Sequence, residues 1–307
     1  MTASSTRPGP APRSPRTTGA RTPVPAPVST APGAPSYRRL AGLTPVLTVR
    51  CAPPGRGGGR LTAADLATRP GAVRELIAHD ARQGLARYGQ PLRPDVAAGF
   101  GLHRFVWPVS LLFTLPWFLE RRVPLLALGD VALRRRPEAV ELTVRPTEFA
   151  CLPDDPAAGS AAAGPVPDEE ALAAALRSAL GGFLAPVLTA FGPEARRGPR
   201  VLWAMATDAV VEGLWYAGGL LGEQERARTE LSALLAPGDP LAPAPAPAPG
   251  ARPAPAPAPF TPGAGFAPPA PGDGRAPSPD RSRASCCLVY TADPEDMCGG
   301  CPRVTRR

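Results

Sequence analysis

The sequence predicts an α+β protein: a helix-dominated body with a small β-sheet, then a short irregular cysteine-rich segment at its C-terminal end. Three observations predict this. Apolar residues recur at helical spacing over long stretches of the second half, beginning behind an N-cap at Asp168. Short apolar and β-branched runs bounded by turn residues lie at 44–51 and between 123 and 152. Two proline-rich tracts with almost no large side chains set the borders. They divide the chain into a disordered tail (1–35), a body (36–237), a Pro/Ala-rich linker (238–279) and a cysteine-rich segment (280–307).

The elements follow in order. "TPVLTVRC" has the β-branched content of a strand, and "GRGGGR" after it reads as a flexible loop matching neither a dinucleotide fingerprint nor a P-loop. Thr62, with Asp65 three residues on, marks a capped helix start. Pro70 opens a second helix, along which Val73, Leu76, Ile77, Leu85 and Tyr88 keep helical spacing. A buried helix interrupted by proline is expected over 95–119. Its apolar run "FVWPVSLLFTLPWFL" is fifteen residues long, short of the ~20 of a membrane span, and membrane association is not indicated. Strands are expected near 123–128, 139–144 and 147–152. From Asp168, with Glu169 and Glu170 in the first turn, a helix carries Leu172, Leu176, Leu180, Phe183, Leu184, Val187 and Leu188. Pro186 is expected to kink it and Gly192-Pro193 to end it. A last helix is expected over about 199–235, with Gly218 and Gly219 as a kink. The Ala-Pro tract of the linker favours polyproline II, expected to loop out as a solvent-exposed spacer.

Composition narrows the function. The chain has 45 prolines, 32 glycines, a formal charge of +8, no lysine and no asparagine, the mark of a GC-rich coding sequence. Arg7, Arg13, Arg16 and Arg21 place half of that charge on the first 35 residues. A nucleic-acid binder would instead concentrate charge on a folded face, so no nucleic-acid partner is expected. With no apolar signal core at the N-terminus, the expected compartment is the reducing cytoplasm. Clustered cysteines there serve as metal ligands or redox groups more often than as structural disulfides.

Four of the six cysteines fall in "SCCLVYTADPEDMCGGCP". Cys286 and Cys287 are adjacent, ten residues follow, then Cys298, two residues and Cys301. Gly299 and Gly300 supply the tight turn that lets two thiolates converge, and Asp293-Pro294 is a turn between the pairs. Four readings compete on chemistry alone. An iron–sulfur cluster with two irons, each taking two thiolates, leads. A tetrahedral zinc site follows, hindered because adjacent cysteines reach one ion poorly. A redox disulfide and four unligated thiols come last.

The C-C-x10-C-x2-C motif, preceded by "RSRAS", resembles that of the FhuF-like ferric siderophore reductases. The stretches "HRFVWPVSLLFTLPWFLERRVPLLALGDVAL" and "VLWAMATDAVVEGLWYAGGLLGEQ" are similar to that family's body, itself similar to a domain of aerobactin-type siderophore synthetases. The resemblance spans roughly 36–237 and 280–302. It implies that Cys286, Cys287, Cys298 and Cys301 ligate a 2Fe–2S cluster. It also implies an oxidoreductase that passes one electron from the cluster to a ferric siderophore in the cytoplasm, releasing Fe(II). The electron would come from a separate donor, a ferredoxin or flavoprotein. The chain departs from the family in one respect, the forty-odd Pro/Ala-rich residues between body and motif.

No other catalytic set is visible: there are two histidines, His79 and His103, and no dinucleotide motif. Cys51 and Cys151 are expected as buried small residues, and the four tryptophans as mostly core with one lining a cleft as the minor reading. Arg121-Arg122, Arg134 to Arg136 and Arg196-Arg197 are expected on solvated faces, with attraction of an anionic siderophore as the second reading. Asp208 and Glu212, one helical turn apart, are expected to pair with arginines, with a carboxylate pair as the second reading. The alternative function is a siderophore- or partner-binding module stapled by a four-cysteine zinc site.

Overall fold

The computed structural model describes residues 31–55, 57–137, 139–236, 258–261, 264–266, 281–295 and 301–303. Cys298 and most of both proline-rich tracts lie outside these residues. The architecture is α+β, as the sequence predicts.

Helix α1 (Ala34–Leu43) leads into strand β1 (Leu47–Cys51). The "GRGGGR" loop returns the chain as β2 (Arg60–Thr62), an element the sequence reading did not anticipate. Helix α2 (Ala63–Thr68) starts at a reciprocal capping box: Thr62 Oγ1 accepts from the Asp65 backbone N–H at 2.9 Å, and Asp65 accepts from the Thr62 N–H at 3.0 Å. Helix α3 (Ala72–Tyr88) follows.

Helix α4 (Pro94–Glu120) is the centre of the molecule and packs against α3, α5, α6 and β3. Its side chains are apolar all round, which is the pattern of a buried helix. Both α4 and α5 are long and apolar enough to cross a membrane, but 78% of the apolar window of α4 is buried within the protein. Pro108 and Pro116 do not break α4. Each proline lacks an N–H and so frees the carbonyl four residues back. The Arg104 carbonyl, freed by Pro108, accepts from Arg135 Nη1 at 3.3 Å. The Leu112 carbonyl, freed by Pro116, accepts from the Tyr37 hydroxyl at 2.7 Å. Both acceptors are thereby satisfied by side chains from other elements.

Strands β3 (Arg122–Pro124), β4 (Val131–Arg135), β5 (Val140–Val144), β6 (Phe149–Cys151) and β7 (Ala163–Pro165) follow. They form two sheets. One has the order β1-β5-β4-β2, with β1 parallel to β5 and the other pairs antiparallel; the second has the order β3-β6-β7. Strand β4 was not expected. Its "RRR" end masks a short apolar run, and pairing with both β2 and β5 makes it a strand.

Helix α5 (Glu169–Ala195) begins where predicted, with Asp168 accepting from the Ala171 N–H at 2.8 Å. It corrects the predicted end by running through Pro186 and Gly192-Pro193, because Leu188, Phe191 and Ala195 continue its buried stripe. The predicted last helix is two, α6 (Pro199–Leu221) and α7 (Gln224–Leu235). The break falls at Gly222 (φ 73°), beyond the expected Gly218-Gly219. Gly218 has a different task. A Cβ there would sit 2.6 Å from Ala227 Cβ, so the glycine lets α7 fold back onto α6. Gly218→Ala is therefore expected to cost about 1–3 kcal/mol by overpacking, lowering the thermal midpoint by several degrees in calorimetry.

The linker departs from the expected solvent-exposed spacer where it is described. Ala258 is buried and its N–H bonds to the Arg177 carbonyl at 2.9 Å. The Thr261 N–H bonds to Thr207 Oγ1 at 3.2 Å. Strand β8 (Gly265–Phe266) pairs antiparallel with β9 (Arg281–Ser282), and Phe266 lies 6.2 Å from Trp215, centroid to centroid. The few aromatic residues of the tract, Phe260 and Phe266, are what the core can take up, and both pack against it.

Candidate metal centre and adjoining cleft

The cysteine-rich tail docks on α6 through two carboxylates. Asp208 is 2% exposed, and a buried charge needs donors. It receives three from the tail: Ala284 N at 2.8 Å, Ser285 N at 2.9 Å and Ser285 Oγ at 2.5 Å. One turn on, Glu212 meets Arg281 at 2.8 Å, Arg283 at 3.6 Å and His103 at 3.6 Å. The expected arginine pairing thus holds for Glu212. Asp208 instead takes backbone and hydroxyl donors, because two successive N–H groups at 284 and 285 point at one carboxylate. Beyond this clamp, Leu288 and Ala292 pack beside Leu92, Val96 and Ala97, and Gln90 donates to the Ala292 carbonyl at 2.8 Å.

Burial pushes the Glu212 carboxyl up, but the hydrogen bond from His103 and the charges of His103, Arg281 and Arg283 overcome it and hold it at about 2. A carboxyl held below its ordinary value of 4.5 stabilises the fold above that pH. This stabilisation is lost as pH falls towards 2. The native protein is therefore expected to lose more stability between pH 5 and pH 2 than Glu212→Gln does, measured as the difference in thermal midpoint at each pH. Parallel curves for the two proteins would show that the carboxylate carries no such linkage.

The clamp delivers the thiols. Cys301 is buried, while Cys286 and Cys287 are half-buried. Burial pushes the Cys286 thiol up, a hydrogen bond from the Leu288 backbone N–H pulls it down, and the charges of Cys287 and Cys301 push it up again. These three sulfurs lie within electrostatic reach of one another. Leu288 is one of only three non-glycine residues with positive φ among the described residues, at 62°. That left-handed turn accompanies the N–H···S bond and opens a 3₁₀ turn over Val289–Thr291. Among the described residues no three His, Cys, Asp or Glu side chains converge on a single ion. Cys298, the fourth ligand expected from the motif, lies outside the described residues. The donor set fits a cluster: thiolate-forming side chains close together, partly desolvated, with a backbone N–H on one sulfur, a device that tunes cluster potential. Cys51 and Cys151 stand apart on β1 and β6, their thiols pushed up by burial.

A family model for the FhuF 2Fe-2S C-terminal domain matches residues 283–303. The tail is FhuF-like. The match begins at Arg283, inside the clamp, so the FhuF-type segment includes docking residues as well as the motif cysteines. A comparison of the chain with curated proteins finds no match.

Beside the FhuF-like tail lies a cleft with two lobes. The inner lobe, about 230 Å³, is lined by Cys287, Ser285, Arg283, Arg87, Phe100 and Met205, among others. The outer lobe, about 280 Å³, is lined by Trp107, Arg135, Arg136 and Glu212, among others. His103 and Arg104 line both. Of the arginine groups singled out in the sequence, Arg135 and Arg136 face this cleft. Arg121 is engaged with Glu230 at 2.7 Å and Arg122 with Asp155 at 2.7 Å, so both are structural. Arg197 lies 3.9 Å from Asp95. Of the tryptophans, Trp107 lines the cleft, Trp117 is core, and Trp203 and Trp215 pack partly buried against it. Sequence reasoning missed Ser285 and the clamp arginines, although "RSRAS" was the signal: basic residues placed immediately before the motif.

Proposed function

We propose that the protein is an iron–sulfur reductase of ferric siderophores, with Cys286, Cys287, Cys298 and Cys301 holding a 2Fe–2S cluster. The observation that carries this reading is the position of Cys287. It belongs to the FhuF-like tail and at the same time lines the inner lobe of the two-lobed cleft. A bound 2Fe–2S cluster supplies single electrons. Fe(III) held by hard oxygen ligands in the chelate gains one electron and becomes Fe(II), which the same ligands hold far more weakly. The electron comes from a separate donor protein, a ferredoxin or flavoprotein. The chain's own residues do the positioning. Asp208 and Glu212 seat the tail, and the cleft walls receive the chelate, with Ser285 and Cys287 at the inner end. The compartment that suits clustered cysteine ligands is the reducing cytoplasm.

Chemically reduced protein, mixed with a ferric siderophore, is expected to reoxidise while Fe(II) appears in a chelator trap at matching stoichiometry. Reoxidation no faster than that of a generic ferredoxin of similar potential would overturn the assignment. Stoichiometric zinc without sulfide in anaerobically purified protein would replace it with the binding module.

A further inference from the structure

The cleft lining is biased towards positive charge, although Arg136 also pairs with Glu141 at 2.9 Å. Among the described residues, five arginines line its two lobes (Arg87, Arg104, Arg135, Arg136 and Arg283) against one carboxylate, Glu212. That carboxylate is already engaged by Arg281, Arg283 and His103.

The central arginine is built into place. Asp80, fully buried in α3, accepts from Arg135 Nη2 at 2.8 Å and from Arg104 Nη1 at 2.7 Å. Arg135 also bonds the Arg104 carbonyl that Pro108 frees. One buried carboxylate therefore holds two guanidinium groups side by side at the cleft, and one positive charge of the pair is left uncompensated. Arg135 is 10% exposed, yet its Nε has no hydrogen-bond partner among the described residues. That Nε is itself buried, so what Arg135 presents to the cleft is its positive charge. Trp107 adds a flat apolar face to the same lobe, tilted 5.4 Å from Tyr216 behind it.

We infer that the two-lobed cleft is the substrate site and that it selects anionic ferric chelates, of catecholate or carboxylate type, over neutral or cationic hydroxamate chelates. This inference rests on the reductase reading above and narrows it to a charge class. An anionic chelate spanning the lobes places oxygen ligands against the Arg104–Arg135 pair, and its inner edge reaches the lobe lined by Cys287. Arg87 on the inner wall and Arg136 on the outer wall attract it from solvent. A cationic chelate meets the net positive charge left after Asp80, Glu141 and Glu212 are counted, and this makes the cleft selective.

Gallium(III) complexes test this without electron transfer, because gallium matches ferric iron in charge and size and is not reduced. Calorimetric titration of the full chain would use a gallium tris-catecholate, a gallium citrate complex and a gallium trishydroxamate bearing a free amine. The anionic complexes are expected to bind on the order of tenfold or more tighter than the cationic one, with affinity falling as salt rises. Arg87→Gln and Arg136→Gln, both at exposed positions, are each expected to weaken the anionic complexes several-fold and leave the cationic one unchanged or tighter. Unchanged thermal midpoints confirm that these variants fold. Affinities that ignore ligand charge, or that neither substitution moves, would overturn the inference. Failure here leaves the visible spectrum and the reoxidation assay intact, whereas failure of the reductase reading leaves gallium binding intact, so the two are separable.

Discussion

Replacing any one of Cys286, Cys287, Cys298 or Cys301 by serine is expected to abolish or strongly bleach the visible absorption of the purified protein, with loss of iron and acid-labile sulfide. Cys51→Ser and Cys151→Ser are expected to leave both unchanged. A 2Fe–2S cluster needs two thiolates on each iron, and a serine hydroxyl is a harder, far less acidic donor. Cys51 and Cys151 lie on β1 and β6 in the body, outside the docked tail, and burial raises both thiols away from the thiolate form. The tail itself has little apolar material, chiefly Leu288, Val289, Tyr290 and Met297, so cluster binding is expected to supply much of its folding energy. Loss of one ligand is therefore expected to loosen the whole segment as well as remove the chromophore. A full spectrum in a Cys298→Ser variant would remove that residue from the ligand set.

Asp208→Ala is expected to release the tail from the body while leaving α6 folded. The carboxylate is the common acceptor for two backbone N–H groups and one hydroxyl, and hydrogen bonds to a charged group are worth about 1.5–3 kcal/mol each. The bonds are not additive, and deletion of one partner in a buried charged network costs about 3–5 kcal/mol. The docked population should fall on the order of a hundredfold or more, seen as rapid proteolysis of the tail and faster loss of the cluster to a chelator. Asp208→Asn keeps one acceptor oxygen and is expected to fall between. Alanine at this position with native protease resistance and native cluster retention would show that the Glu212 clamp and the packing of Leu288 suffice.

Much of the helical body was legible locally because its signals are short-range. The Thr62–Asp65 box, the Asp168 cap and the apolar spacing of α4 and α5 each lie within one or two helical turns, and all were read from neighbours in sequence. Strand β2 was not legible, since a three-residue segment becomes a strand only through a partner 70 or more residues away, and β4 was hidden because the arginines at its end mask the short apolar run that pairs with β5 and β2. The helix over 95–119 was expected to be interrupted by its prolines, and α4 instead runs through both for a reason no local window holds. The freed carbonyls are satisfied by Tyr37 and Arg135, neither of which any local pattern connects to them.

The candidate site divides in the same way. The sequence by itself determined that four thiols fall within sixteen residues at C-C-x10-C-x2-C spacing, a local pattern that the match to the FhuF 2Fe-2S C-terminal domain also covers. The tertiary structure decided what the set stands beside. It turned Asp208 and Glu212 into a receptor for residues 281–285, drew part of a proline-rich tract against the core, and gathered arginines from α3, α4, β4 and the tail around one cleft. Those juxtapositions join residues up to two hundred positions apart. They follow from burying α4 on all sides and from satisfying the charges that burial strands, conditions that act on the whole chain and leave no mark in a local window.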